Sequence, residues 1–144
     1  MKQKLIVAIC LLFSSLSYAQ DLTISEVPSV VLNSFNKIFP KATGVDWEMK
    51  GDLFNAEFDI GRRDHEVWLS SKGEIVKHKK EIKARELPSA VSNSIKQDFK
   101  GYRIDDVDQI EETKQFFYKV ELKTFTDEKK VLFDQNGKLS NKKL

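Results

Sequence analysis

Val27-Pro28-Ser29-Val30-Val31-Leu32-Asn33-Ser34-Phe35 returns sixty residues later as Leu87-Pro88-Ser89-Ala90-Val91-Ser92-Asn93-Ser94-Ile95. Between 28–39 and 88–99 six of twelve positions are identical: Pro, Ser, Val, Asn, Ser and Phe. Chance pairing at average composition gives about one match, so the pattern reads as a duplicated unit. A second block recurs at a spacing of 64, where Val67-Trp68-Leu69-Ser70-Ser71-Lys72-Gly73-Glu74-Ile75 corresponds to Val131-Leu132-Phe133-Asp134-Gln135-Asn136-Gly137-Lys138-Leu139. Only Val and Gly are identical there, yet the apolar and turn positions coincide. The change from 60 to 64 puts four extra residues between helix and later strands in the second copy.

Each copy opens as a helix. Pro28 and Pro88 suit a first turn, where a missing N–H has no partner to lose. Val31, Phe35, Ile38 and Phe39 form one apolar stripe, and Val91, Ile95 and Phe99 repeat most of it. Pro40 and Gly101 stop the two helices. Strands follow. Val45, Trp47 and Met49 alternate with Asp46 and Glu48; Phe54, Ala56, Phe58 and Ile60 alternate with Asn55, Glu57 and Asp59; Tyr118, Val120 and Leu122 alternate with Lys119, Glu121 and Lys123. Such a period of two marks strands with one dry face. Ser70-Ser71-Lys72-Gly73 and Asp134-Gln135-Asn136-Gly137 each end in a glycine free to take positive φ. This turn predicts that Leu69 faces Ile75, Glu66 faces His78 and Phe133 faces Leu139, with Val67, Leu69 and Ile75 on one face.

The predicted fold class is α+β: two tandem helix-plus-four-strand repeats, 24–82 and 84–144, in a single domain over 20–144. A half of about 62 residues is marginal alone. The halves are therefore expected to share one curved antiparallel sheet of about eight strands, with both helices on one face and the other face solvated. The join, Lys77-His78-Lys79-Lys80-Glu81-Ile82-Lys83, reads as a charged strand end and linker.

The opening MKQKLIVAICLLFSSLSYAQ has the form of a secretory signal: Lys2 and Lys4, an apolar run Leu5 to Leu16, and a small-x-small site at Ser17-Tyr18-Ala19. Cleavage after Ala19 predicts an exported protein, periplasmic or secreted, that is soluble afterwards. Of 24 Lys+Arg and 22 Asp+Glu, two lysines leave with residues 1–19, so the remainder balances at 22 against 22. That balance argues against nucleic-acid binding, and the apolar run is too short for membrane insertion. Cys10, the only cysteine, also lies in the signal, so the rest has no disulfide or thiol nucleophile.

The apolar-Pro-x-x-Val helices, the strand Phe54-Asn55-Ala56-Glu57-Phe58 and the paired hairpins around Gly73 and Gly137 resemble the PepSY-like family, exported bacterial proteins also described as β-lactamase-inhibitor-like. The resemblance spans about 24–144. It implies tandem repeats building a sheet with helices on one side, whose open face binds a protein. It brings no active-site motif, and the disulfides of β-lactamase inhibitory proteins are missing.

The residues themselves point the same way. Asp64-His65-Glu66 beside His78 suggests a metal, but the expected register offers two convergent ligands where a catalytic zinc takes three. Asp105-Asp106-Val107-Asp108 with Glu111 and Glu112 lacks the glycine and spacing of a calcium loop and reads as a solvated loop. Ser29 and Ser89 read as helix-capping residues, and no G-x-S-x-G elbow or phosphate-cradling loop occurs. No catalytic residue, metal or cofactor is assigned, and the protein is read as a non-enzyme.

The informative side chains are apolar ones on the polar face: Trp68 and Val76 beside Glu66 and His78, Leu132 in the place of Trp68, and Phe117 out of phase with Tyr118. Such a cluster inside a charged rim resembles an interface anchor. Burial of these aromatics, guided by Glu57, Glu121, Lys119 and Lys130, would recognise a protein or peptide of the cell envelope or beyond, in the manner of an inhibitor. The alternatives are a small-molecule or metal binder using a pocket between sheet and helices, and a hydrolase.

Overall fold

A computed structural model describes residues 20–142; the signal reading falls on residues 1–19, outside the described residues. The chain forms one eight-stranded antiparallel sheet in the order β1 to β8, with two helices on one face. Strand β1 is Gln20–Leu22, β2 Thr43–Lys50, β3 Leu53–Ile60, β4 Arg63–Leu69 and β5 Ile75–Glu81. Strand β6 is Arg103–Glu112, β7 Gln115–Lys123 and β8 Glu128–Asp134, while α1 is Ser29–Ile38 and α2 is Ser89–Asp98. Each helix is preceded by a single 3-10 turn, Ile24–Glu26 or Ala84–Glu86, so helix entry is built alike in both halves.

The helices bury the stripes that their sequence periodicity predicts. Val31 and Phe35 of α1 pack with Trp47, Ala56, Phe58, Val67 and Leu69. Val91 and Ile95 of α2 pack with Val107, Tyr118, Val120, Leu122 and Phe133. These strand residues share one side of the pleat, so both helices cover the same face. The Ser and Gly common to the two copies explain one another: Ser34 Oγ donates to Gly73 O at 2.6 Å and Ser94 Oγ to Gly137 O at 2.7 Å. Each helix is thereby clasped to its hairpin turn. Ser29 and Ser89 are first-turn residues but make no capping hydrogen bond.

Four sequence expectations change. The second half has three strands rather than four, its last reduced to a single bridge, Phe133 to Leu139; the N-terminal β1 brings the sheet to eight. The lysine-rich join is β5, paired on both sides in the middle of the sheet. The acidic cluster at 105–112 is β6, which lies against it, setting Lys77 opposite Glu112 and His78 opposite Glu111. Lys77 and Glu112 are opposite charges across this ladder, and on the other side of β5 Lys79 pairs with Glu66 of β4 at 2.6 Å.

The fourth change is in register. Leu69 faces Ile75 as expected, but Trp68 faces Lys77, leaving Val76 as the extra residue of a β-bulge. Beyond the bulge every partner moves by one: Glu66 faces Lys79, and His78 faces Val67. His78 therefore lies on the helix-covered face together with His65, not beside Glu66.

Candidate functional site

The face without helices carries side chains from every strand, and alternation decides which ones. From β4 it takes Glu66 and Trp68, from β5 Lys77 and Lys79, from β6 Asp108, Ile110 and Glu112, from β7 Phe117, Lys119 and Glu121, and from β8 Lys130 and Leu132. The structure thus brings Trp68, Phe117, Leu132, Glu57, Glu66, Lys119, Glu121 and Lys130 onto one face, as expected. His78 is excluded by the bulge, and Val76, the bulge residue itself, does not line the depression described next.

At the centre of this face is an open depression of about 390 Å³. Its apolar side chains are Trp68, Ile110 and Leu132. Ile110, opposite Phe117 in the ladder, is only 2 % exposed although no helix covers it. Phe117 is likewise buried, its ring lying 4.5 Å from Lys142 Nζ. Trp68 is half-buried, with Lys77 Nζ 4.3 Å and Lys50 Nζ 5.7 Å from the ring centroid. Ammonium groups over an indole face are held by the ring quadrupole while shielding it from water.

Around the depression the charges are paired. Glu66, 7 % exposed, accepts from Lys50 Nζ at 2.8 Å and from Asn55 Nδ2 at 3.2 Å, and pairs with Lys79 Nζ at 2.6 Å. Burial works against its charged form, but the two lysines outweigh it and hold the carboxyl below the ordinary carboxylate range. Glu57 lies across from Glu66 and reaches the same Lys50 at 3.5 Å. Glu121 pairs with Lys123 at 2.5 Å and Lys130 at 3.1 Å, and Lys119 lies 3.9 Å from Asp108. An apolar floor ringed by such pairs has the anatomy of a protein interface.

Two features escape sequence reasoning. Ile110 points to the open face because a bulge between Ile104 and Asp106 breaks the alternation of β6. Phe125, in the turn between β7 and β8, is fully exposed, and a lone aromatic in Thr124-Phe125-Thr126-Asp127 was the available signal.

On the helix side the histidines meet. His65 Nδ1 lies 3.0 Å from His78 Nε2, with Phe58 stacked on His65 and Phe39 against His78. They border the seam between the helices, where His78, Lys80, Gln109, Glu111 and Phe116 line a depression of about 320 Å³. Among the described residues no three His, Cys, Asp or Glu side chains gather as metal ligands.

Burial, then the charges of His65 and Lys80, push the His78 imidazole down to about 4 from the ordinary 6.5. The unfolded chain takes this proton near pH 6.5 and the folded chain only near 4. Stability is therefore expected to fall as the pH drops through that window, by about 2–3 kcal/mol once partial exposure is allowed for. Urea midpoints from pH 7.5 to 4.5 measure the loss, and His78→Leu should flatten it. An unchanged slope in that variant would assign the loss to other groups.

Residues 52–141 match the model of the family described as "Putative beta-lactamase-inhibitor-like, PepSY-like", and the chain belongs to that family. Solved structures share the fold. A DUF2874 family protein from Bacteroides uniformis aligns with TM-score 0.68 and 24% identity, covering 78% of this chain and 85% of that one. A BLIP-like protein from Bacteroides fragilis gives 0.66 and 22%, covering 81% and 84%. A protein from Bacteroides eggerthii described among "putative periplasmic proteins" gives 0.69 and 21%, covering 78% and 85%. A search of curated proteins gives no match.

Proposed function

We propose that this protein is a non-enzymatic binding module of the cell envelope that recognises a protein or peptide through the open sheet face, in the manner of an inhibitor. The observation that carries the reading is the half-buried pair Trp68 and Leu132 on that face, backed by the buried Ile110 and Phe117 and set inside a frame of ion pairs. Apolar anchors in a charged rim concentrate binding energy in a few side chains and leave specificity to the rim. The lysines and carboxylates around it are committed to one another, an arrangement suited to recognition more than to proton transfer. The inhibitor-like family description and the BLIP-like relative support binding, and the periplasmic relative together with the signal-like opening segment supports export.

Affinity capture from a cell-envelope extract tests this reading. The wild-type chain should retain a partner that Trp68→Ala retains at least about tenfold less, because truncating an interface anchor costs about 1.4 kcal/mol or more. Lys37→Glu, on the exposed side of α1, should retain it fully. Equal retention by wild type and Trp68→Ala would remove the open face from the account.

A further inference from the structure

Lysines dominate the lining of the depression. Lys77, Lys79, Lys119, Lys130 and Lys142 line it, against Glu66 alone. The carboxylates that pair with three of these lysines, Asp108, Glu112 and Glu121, are not among its lining residues. Those acids neutralise their lysines from the flanks, and Glu66 pairs with Lys79, which leaves Lys77 as the lysine of the depression without an ion pair. Lys77 stands apart. Among the described residues it forms no ion pair, and its only close aromatic partner is Trp68 at 4.3 Å. Burial is the largest influence on it and lowers its pKa; Glu112, opposite it in the ladder, and Glu66 pull the other way, and Lys79 and Lys142 add to the lowering. A half-buried ammonium beside two others, over an indole, is a cation held ready for an anion.

We propose that the depression receives an acidic segment of a partner polypeptide, a carboxylate meeting Lys77 while a neighbouring aromatic or aliphatic side chain covers Trp68, Ile110 and Leu132. The inference rests on the open-face reading and adds the partner's chemistry. A basic segment would be repelled by Lys77, and an uncharged one would leave Lys77 half-buried without an ion pair. An acidic and apolar segment satisfies both the walls and the floor.

Calorimetric titration of the full chain with end-capped Glu-Glu-Phe-Glu-Glu tests the assignment. It should bind at least about tenfold more tightly than Lys-Lys-Phe-Lys-Lys or Glu-Glu-Gly-Glu-Glu, and more weakly as salt is raised. Lys77→Glu should weaken it by about tenfold or more, and Lys77→Gln by less. Lys77→Glu sets a like charge opposite Glu112 in the ladder whereas Lys77→Gln does not, so thermal melts of both variants verify that each folds. Equal binding of the basic peptide, or no effect of Lys77→Glu, would overturn the acidic assignment. Laurate binding as tightly as the acidic peptide and displacing it would replace the polypeptide by amphiphilic anions in general. In either case Trp68-dependent capture of an envelope partner would still support the open face, whereas capture independent of Trp68 would remove the face itself.

Discussion

Gly137→Ala is expected to destabilise the fold by about 2–5 kcal/mol, combining a left-handed backbone penalty with overpacking against a helix. Gly137 has φ +79, and a Cβ placed there would lie 2.5 Å from Ala90 O and 2.8 Å from Ser94 Oγ. Neither is a flexible tip. Ala90 O belongs to the helix backbone, and Ser94 Oγ is the group that clasps the turn through its hydrogen bond to Gly137 O. Gly73→Ala should behave similarly, since its Cβ would meet Val30 O at 2.9 Å. Gly51 provides the control: its φ of +67 carries the same backbone strain, but nothing lies within 4 Å of the added methyl. Gly51→Ala should therefore cost about 1–2 kcal/mol. Chemical denaturation of the three variants separates strain from collision, and a Gly137→Ala loss no greater than that of Gly51→Ala would contradict the helix-to-turn clasp.

Replacing Glu66 by alanine is expected to cost about 1–3 kcal/mol, less than the full range for a buried ion pair because the side chains of Lys50 and Lys79 stay 32 % and 34 % exposed. The penalty arises from what stays behind. Lys79, on a central strand, would keep its charge without its carboxylate at 2.6 Å, and Lys50 would lose its 2.8 Å contact. The Asn55 amide, fully buried, would keep only Val67 O at 3.3 Å as an acceptor. The double variant Glu66→Leu with Lys79→Met removes both charges and should recover much of the loss. Acid acts on the same carboxyl. Its pKa is lowered on folding, so its contribution is present above the ordinary carboxylate range and is lost as the pH falls through the folded value. Denaturation midpoints for the single and double variants measure both effects. Failure of the double variant to recover would show that packing, not charge, is what Glu66 supplies.

The duplicated segment made the two helices, their buried stripes and their hairpin turns legible, because the repeated Pro, Val, Ser and Gly do the same physical job in each copy. Pro28 and Pro88 fix helix entry, Val31 and Val91 are fully buried, and Ser34 and Ser94 hold Gly73 and Gly137. The centre of the sheet was hidden for an equally physical reason. Strand β5 lies between acidic β6 and Glu66, which pairs with Lys79, so its lysines resembled a linker as long as those neighbours were unknown. Two bulges did the rest. The one opposite Trp68 and Leu69 carries His78 to the helix side, and the one after Ile104 conceals that Ile110 faces the open side. A pattern of period two cannot register an inserted residue until the pairing is known. For the candidate site, Trp68, Phe117 and Leu132 were readable as apolar residues out of phase. Lys77, by contrast, became distinctive only once Trp68 was placed beneath it.

Photo-crosslinking tests the central claim, that partners dock on the face the helices leave open. A benzophenone side chain placed at Lys130, beside the depression, should form adducts with a partner in an envelope extract of the producing cells. The same group at Lys37 on α1 should form none. Adducts from Lys37 but not from Lys130 would put the binding surface on the helices and contradict the account.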